Sequence, residues 1–258
     1  MTEDSPEYQR KKAFFDSILT IYGRKAVLEA LQDPQLTIYK LHLADSNREG
    51  GIVAEIIELA ERRNIAIDRH DRKALSRLSR NSKQDQGVVA DIQLDGHQSV
   101  SQFLAGANRP PNLIALDGIS NPQNLGMIIR SVAAGRCDGL ILPRKGCAAL
   151  SPLAIKASAG TVFKATILHC ETLARALQDI KQALPATQIV TLSSHAKQSL
   201  FDFDPHQRGA VYVLGNETEG VSKAVQQLSD QALCIPMNNG VESLNVAITA
   251  ALIAFNGL

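Results

Sequence analysis

The most constraining feature of the sequence is the alternation of short apolar runs with helical segments from Asn112 onward. The runs LIALDGI, DGLILP and AVYVLG are apolar at consecutive positions, unlike a strand that keeps one face in water. The segments NLGMIIRSVAAGR and ETLARALQDIKQAL carry apolar residues at helical spacing. Buried strands joined by helices are typical of a parallel sheet covered on both faces. The sequence therefore predicts an α/β domain over residues 112–258.

A smaller α/β unit is predicted before this domain. Helical spacing covers Arg24 to Leu31 and Ile52 to Arg63, and a strand pattern covers Leu36 to Ala44. The polar segment LDGHQSVSQFLAGANRPP, which ends in a double proline, separates the two parts. We therefore predict a charged N-terminal extension over residues 1–17, a first domain over 18–94, a linker over 95–111 and a second domain over 112–258.

Composition narrows the classes of function. The formal net charge of +1 excludes a wholly basic nucleic-acid coat protein but allows a local basic patch. The four cysteines form no CxxC pair, so a structural zinc site is disfavoured and no metal is expected. The N-terminus is too polar for a secretory signal, and the apolar run Val246 to Phe255 is too short for a membrane span of about 20 residues. These features predict a soluble cytoplasmic protein with no membrane partner.

One basic stretch stands out against the small total charge. Between Arg62 and Lys83 there are eight Lys or Arg residues and two Asp residues, a local excess of +6. Helical spacing places Lys73, Arg77 and Arg80 on one face of a predicted helix. This face is either solvated or in contact with RNA phosphates. The candidate RNA-binding residues are Arg69, Lys73, Arg77 and Arg80.

Three loops are predicted at the carboxyl ends of strands, where parallel sheets bind ligands. In the first loop, NPQNLG, Asn124 is the predicted N-cap of a helix that carries Arg130. Small residues follow Arg130, so a ligand or another chain could approach this cation. The alternative is an ordinary exposed helix arginine.

The second loop, GNETEG, has the glycine spacing of a phosphate-binding loop, but Val221 stands at the position of the required lysine. No GxGxxG motif follows the first strand of this domain. Nucleotide hydrolysis and a dinucleotide-binding fold are therefore disfavoured. The loop either lets a ligand approach the backbone closely or is an ordinary turn.

The third loop lies in IPMNNGVESLN, where Asn238 to Gly240 predict a turn and Ser243 is the predicted cap of the final helix. Free N–H groups at a helix N-terminus can form a polar site, although a simple cap explains the same residues. No Ser-His-Asp or Cys-His arrangement is evident.

Taken together, NPQNLGMIIRSVAAG, VLGNETEGVS and IPMNNGVESLNVAITAALIAF resemble the three ordered motifs of the SpoU (TrmH-type) RNA 2′-O-ribose methyltransferases of the SPOUT superfamily. The resemblance is nearest the branch of 23S rRNA guanosine-2′-O-methyltransferases. The first part of the chain, with YGRKAVLEAL and QGVVA, resembles their ribosomal-protein-L30e-like substrate-binding domain. Relatives usually have histidine where this chain has Asp85.

The resemblance implies a C-terminal parallel-sheet SPOUT domain with a deep trefoil knot, preceded by a small L30e-like α/β domain. It also implies S-adenosyl-L-methionine as cofactor, RNA as substrate and a homodimer with the site near the subunit interface. The residues matching catalytic positions of the motifs are Asn124, Arg130, Glu217, Ser243 and Asn245. The residues implied to bind the cofactor are Leu192, Leu214, Gly215, Ile235, Met237 and Leu244.

The implied reaction needs a group that handles the proton or the negative charge of a ribose 2′-oxygen. Arg130 is the strongest functional group in the first motif. The family proposal is that it acts as base, whereas a guanidinium that stays charged is better suited to orienting phosphate and stabilising an alkoxide. Glu242 has no assigned role.

Several functions remain open on the sequence alone. An rRNA ribose methyltransferase is the leading hypothesis, and the L30e-like domain favours rRNA. The same chemistry on tRNA is the nearest alternative. A non-catalytic RNA-binding or ribosome-assembly factor on the same fold is a second alternative, and a small-molecule nucleotide enzyme is disfavoured by the missing phosphate-binding motifs.

Overall fold

The computed structural model describes residues 5–48, 50–204 and 208–256. The described residues form two compact units, the first reaching Asp95 and the second containing nearly all residues from Gly96 onward. Across these three ranges no helix is both long enough and apolar enough to cross a membrane.

The first unit is a small α/β structure around a four-stranded sheet. The sheet has the order β1-β4-β2-β3, in which β4 is antiparallel to β1 and β2, while β2 and β3 are parallel. Its elements are α1 (Pro6–Asp16), β1 (Ile18–Tyr22), α2 (Arg24–Gln32), β2 (Thr37–Ala44), α3 (Ile52–Arg62), β3 (Ile67–His70), α4 (Arg72–Ser79) and β4 (Val88–Gln93).

Side chains fix the ends of these helices. Asp71 caps α4 by accepting a hydrogen bond from the Ala74 amide at 2.8 Å. The Arg63 guanidinium, just after α3, donates to the Leu31 and Asp33 carbonyl oxygens at 2.7 and 3.1 Å. These bonds satisfy carbonyl groups at the end of α2 that have no partner within the helix. The Arg63 guanidinium is therefore bonded within the fold, and Arg63 is not a candidate for RNA contact in the predicted basic stretch.

The second unit is built on an eight-stranded sheet with the order β10-β12-β9-β11-β6-β7-β8-β5. Every neighbouring pair is parallel, which confirms the fold class predicted from the apolar runs. Its elements are β5 (His97–Ser99), α5 (Val100–Gly106), β6 (Asn112–Asp117), α6 (Pro122–Ala134), β7 (Gly139–Pro143), α7 (Pro152–Ala157), a 3-10 turn (Thr161–Phe163), β8 (Ile167–Cys170), α8 (Leu173–Ala183), β9 (Gln188–Leu192), β10 (Gln198–Ser199), a second 3-10 turn (Leu200–Asp202), β11 (Ala210–Gly215), α9 (Lys223–Gln226), β12 (Gln231–Cys234) and α10 (Val246–Phe255).

Helices cover this sheet as the apolar pattern requires. Leu177 and Ile180 of α8 are fully buried in one core with Val211 of β11. Helices α6 and α10 pack together, and a side chain at Gly135 would place its Cβ 2.4 Å from the Ala254 carbonyl oxygen. Glycine thus allows the end of α6 to lie directly against the end of α10.

The segment predicted as a linker over residues 95–111 is not a structureless connector. Within it, β5 pairs with β8 at the edge of the sheet, and α5 follows at once. Ser99 and Gln102 form a capping box, with the Ser99 side chain accepting from the Gln102 amide and the Gln102 side chain accepting from the Ser99 amide. The segment is polar because an edge strand and a capped short helix both tolerate polar residues. The sequence pattern likewise does not predict strand β1, which the structure shows at Ile18–Tyr22.

Candidate active site

A cavity of about 490 Å³ opens in the second unit, beside the ends of β9, β11 and β12 and the start of α10. All six residues predicted to bind the cofactor line it, namely Leu192, Leu214, Gly215, Ile235, Met237 and Leu244. Glu217, Ser243 and Asn245 line it as well, and so does Glu242. The parallel sheet therefore brings residues from two of the three predicted loops to one concave surface.

The prediction that Asn124 is an N-cap is wrong. Asn121 caps α6, since its side-chain oxygen accepts from the Gln123 amide at 2.8 Å, and Pro122 occupies the first helical turn. Asn124 is therefore inside the helix, and it is only 5% exposed. Its Nδ2 donates to Glu217 Oε1 at 2.5 Å, which joins the first predicted loop to the second.

Asn245, not Ser243, caps α10, which corrects the second predicted cap. The Asn245 Oδ1 accepts from the Ala247 amide at 2.9 Å, so the Nδ2 group of the same side chain is left to donate. It donates to Asn124 Oδ1 at 3.2 Å. Asn124 must then present its own Nδ2 to Glu217. The backbone of α10 thereby fixes the direction of a hydrogen-bond chain through all three motifs.

Ser243 is exposed on the cavity wall, two residues before the cap. Its hydroxyl has no hydrogen-bond partner among residues 5–48, 50–204 and 208–256. A hydroxyl in this position can donate to or accept from a bound molecule.

The loop after β11 is closed by backbone hydrogen bonds. Asn216 and Gly220 exchange two of them, at 3.0 and 2.9 Å, and the Asn216 side chain donates to the Gly118 carbonyl oxygen at 2.9 Å. A Cβ on Gly215 would lie 2.3 Å from the Gly220 carbonyl carbon and 2.4 Å from the Val221 amide nitrogen. Glycine is therefore required at position 215 for the loop to fold back on its own strand.

Arg130 lies apart from the residues that line the cavity. It is exposed on α6, six positions after Asn124. No residue in the described ranges forms an ion pair or hydrogen bond with its guanidinium. The structure thus brings Asn124, Glu217 and Asn245 together with Ser243 nearby, and leaves Arg130 as an exposed cation outside this group.

The candidate RNA-binding residues are all exposed in the first unit, with Arg69 on β3 and Lys73 and Arg77 on α4. Arg80 does not continue the helical face, because α4 ends at Ser79 and Arg80 has a left-handed backbone with φ of 53°. The predicted common face of three cations is therefore corrected to two residues on the helix and one just beyond it.

Asp85 has a structural role that the sequence did not reveal. It is fully buried, and its Oδ2 accepts from the Ser79 and Ser76 hydroxyls at 3.0 and 3.2 Å. Its Oδ1 accepts from the Gly87 amide at 2.9 Å. Asp85 therefore holds the turn between α4 and β4 and is not available to contact RNA.

The four cysteines are free thiols that are partly buried. Burial raises the pKa of Cys137 and Cys170 to about 12, so both remain protonated near neutral pH. A protonated thiol is a poor nucleophile and metal ligand. The free thiols agree with the prediction of reduced cysteines, whereas the prediction that most of them lie in the core is wrong, since all four are partly exposed.

Comparison with known families gives two matches that together cover most of the chain. Residues 111–255 match the family described as the SpoU rRNA Methylase family. Residues 20–95 match the family described as RNA 2′-O ribose methyltransferase substrate binding.

Individual relatives agree with these matches. A protein of Mycolicibacterium smegmatis named as an uncharacterized tRNA/rRNA methyltransferase is 31% identical over 96% of this chain and 78% of its own length. A Mycolicibacterium vanbaalenii protein of the same name is also 31% identical, over 92% of this chain and 75% of its own length.

Two solved structures share the fold. The SpoU methyltransferase AviRb from Streptomyces viridochromogenes, in complex with AdoMet, has a TM-score of 0.62 at 20% identity and covers 98% of this chain and 92% of its own. The AdoMet-bound rRNA methyltransferase from Sinorhizobium meliloti has a TM-score of 0.61 at 22% identity, over 98% and 89% of the two chains.

Proposed function

The chain belongs to the SpoU rRNA Methylase family, and on this premise we propose that it transfers a methyl group from S-adenosylmethionine to a ribose 2′-hydroxyl of 23S rRNA. The observation that carries the proposal is the hydrogen-bond chain Asn245–Asn124–Glu217, which joins the three motif loops beside one cavity. We propose that the protein acts in the cytoplasm.

The cavity suits the proposed cofactor. Its volume of about 490 Å³ is within the range of about 300–1,000 Å³ that small-molecule sites usually have. Leucine, isoleucine and methionine side chains supply apolar walls, and Gly215 lets the loop after β11 fold back to form one side of the cavity. The bound cofactor supplies a methyl group already activated on a sulfonium, so the residues of the chain have mainly to bind and orient.

The polar residues of the site have different proposed roles in positioning the substrate and the other side chains. Asn124 is held by two hydrogen bonds and keeps Asn245 and Glu217 in fixed positions. Ser243, whose hydroxyl is exposed on the wall, is placed to orient the ribose. Arg130 is an exposed cation that would orient a target phosphate and stabilise charge on the 2′-oxygen, because a guanidinium remains protonated in proteins.

We also propose that the protein acts as a homodimer, with the knotted topology of its family. Helix α10 keeps Ile248 and Phe255 exposed at 52% and 44%, and Phe201 beside them is 51% exposed. These residues border an apolar groove of about 410 Å³ in the second unit. A second copy would bury this surface, and Arg130, which lies outside its own cavity, could then serve a site at the interface.

A tRNA substrate is the second candidate. The observation that favours it is the naming of the Mycolicibacterium relatives as tRNA/rRNA methyltransferases. The match of residues 20–95 to a substrate-binding family does not separate the two RNAs.

Methyl transfer to purified 23S rRNA and bulk tRNA tests the proposal, with both RNAs taken from a strain that lacks the protein. Arg130→Ala should abolish transfer while calorimetry still detects S-adenosylmethionine binding. Arg175→Ala is the matched control, because Arg175 is an exposed arginine of α8 in the same unit, paired with Asp179 of its own helix. Near-normal turnover by Arg130→Ala would contradict the assigned role, and no cofactor binding by the unaltered chain would favour an assembly factor.

A further inference from the structure

Two neighbouring strands of the first unit bring together ligand-type side chains that are far apart in sequence. In the parallel pairing of β2 and β3, His42 is opposite Asp68 and Ala44 is opposite His70. Since side chains alternate along a strand, His42, Asp68 and His70 lie on one face of the sheet. One ligand atom from each residue lies within 4.8 Å of those of the other two.

The imidazole of His42 is oriented by a second layer of hydrogen bonds. Its Nε2 is 3.2 Å from Asp91 Oδ2, and Asp91 Oδ1 accepts from the Thr20 hydroxyl at 2.6 Å. A carboxylate only accepts hydrogen bonds, so the His42 Nε2 carries the proton. The Nδ1 lone pair is then directed at His70 Nε2, 2.9 Å away. A carboxylate that holds the far nitrogen of a histidine is the usual support of a metal-bound imidazole.

We propose that His42 Nδ1, His70 Nε2 and one Asp68 oxygen bind a divalent transition-metal ion of the zinc type. Two imidazoles and one carboxylate, with one position left for solvent, form a common ligand set for this ion. His42 is buried, whereas Asp68 and His70 are partly exposed, so the fourth position faces water. The proposal concerns the first unit and does not depend on the proposed methyl transfer.

To accept the ion, His70 has to change its tautomer and its ring has to move. Metal–nitrogen bonds of about 2.0–2.1 Å in tetrahedral arrangement separate the two nitrogens by roughly 3.3 Å. In the present 2.9 Å hydrogen bond between the rings, His70 Nε2 is the donor, so His70 must shift to the tautomer with its proton on Nδ1 before Nε2 can bind the ion. His70 is the partly exposed partner and can move by this amount, while Asp91 keeps His42 in place.

Lys40 is the group that competes with the ion. Its ammonium lies 2.9 Å from Asp68 Oδ2 and pairs with the charge that the metal would use. Removing this lysine leaves all three ligands in place. The proposal therefore predicts that Lys40→Gln binds metal as tightly as the unaltered chain or more tightly.

The test is a Zn²⁺ titration of the full chain against a chromophoric chelator, without RNA or cofactor. His70→Gln should weaken binding at least about 100-fold, and Asp91→Asn, which weakens the support of His42 without removing a ligand, about 10–100-fold. His195→Gln is the control, because His195 is an exposed histidine of the second unit. Co²⁺ absorption should lack a thiolate charge-transfer band, which excludes binding at the four cysteines.

The outcomes are distinct. Weaker binding by His70→Gln and Asp91→Asn, with Lys40→Gln and His195→Gln unimpaired, supports the site. Equal affinity in the unaltered chain, Asp91→Asn and His70→Gln overturns it, and so does a thiolate band with Co²⁺. If His70→Gln does not fold, weaker binding by Asp91→Asn together with unimpaired binding by Lys40→Gln still supports the site, and equal affinity of Asp91→Asn and the unaltered chain overturns it.

Discussion

The two units assemble their polar clusters in different ways. In the second unit, Asn124 meets Glu217 and Asn245 across 93 and 121 residues of sequence, at loops that follow parallel strands. In the first unit, His42 and His70 meet across 28 residues, because neighbouring strands set them side by side. The first kind of cluster needs four neighbouring strands of the sheet, β6, β11, β9 and β12, whereas the second needs one strand pair.

The histidine pairs of the two units also differ in their surroundings. His42 and His70 belong to a hydrogen-bonded network that includes Asp91. His97 and His169 of the second unit have ring centres 5.6 Å apart in the interior. Burial lowers the pKa of His97 to about 4, and burial together with the nearby His97 and Arg144 lowers the pKa of His169 to about 3.

Lowering the pH should therefore produce the largest difference in stability between the two units. His97 has a lower pKa in the folded than in the unfolded state, so the unfolded state takes up the proton first and stability falls as pH drops from about 6.5 to about 4. The expected loss for this residue is about 3 kcal/mol at the lower end of that range. Urea unfolding at pH 7 and about pH 4.5, followed in each unit by pulse-labelling hydrogen exchange, measures it.

His97→Gln is the control for this prediction. The glutamine amide can still donate to the Val162 carbonyl oxygen, which His97 Nε2 contacts at 3.1 Å, but it does not titrate. The variant should lose part of the acid sensitivity of the second unit. Earlier acid unfolding of the first unit would reverse the comparison.

Gly215→Ala should cause the next largest change. Its Cβ would overlap the Gly220 backbone, so we expect a loss of about 2 kcal/mol in stability and at least a roughly tenfold weaker affinity for S-adenosylmethionine. Calorimetry and urea unfolding measure the two effects. Gly106→Ala is the matched control, because a Cβ at Gly106 meets no atom within 4 Å. Equal responses of the two variants would mean that the loop after β11 tolerates displacement.

Asn124→Asp tests the direction of the hydrogen-bond chain. The change keeps the size of the side chain but removes the donor to Glu217 and places two carboxylates together, with an expected loss of about 1–2 kcal/mol near neutral pH. Asn121→Asp should be neutral, because aspartate caps helices as well as asparagine does. Mild acid should partly restore Asn124→Asp, since a protonated carboxyl can donate again. If Asn124→Asp did not change the free energy of unfolding, the chain of hydrogen bonds would add no stability.

The smallest effect on stability is expected in the first unit. Reversing both Arg77 and Arg80 to glutamate should change the free energy of unfolding by less than about 0.5 kcal/mol, since both are exposed. The slope of log affinity for RNA against log salt should become shallower by roughly 0.7–0.9 for each phosphate that the variant no longer neutralises. Filter binding at several salt concentrations measures the slope, with Lys25→Glu as an exposed control in the same unit. An unchanged slope would mark the stretch as a solvated face.

The sequence predicts the parallel sheet and the three loops because buried strands and turn residues have local patterns. The prediction of Asn124 as the cap overlooked a local signal, because Pro122 at the first helical position favours Asn121 as the cap. The sequence does not show the partners of the Asn124 side chain, because only the folded sheet brings Glu217 and Asn245 to it. The same limit hides the cluster of His42 and His70, because strand register is a property of the pairing.

The closed loop between Asn216 and Gly220 has a consequence for how fast a ligand can enter and leave the cavity. Its backbone bonds are already made, so this wall has little conformational freedom to lose on binding. On the facing wall, the backbone between Met237 and Leu244 has a single hydrogen bond among the described residues, from the Val241 amide to the Asn238 carbonyl oxygen at 3.2 Å. Segments with few such bonds open most readily. We therefore expect the residence time of a bound molecule to be set by the stretch that contains Ser243, with the loop after β11 as a fixed support.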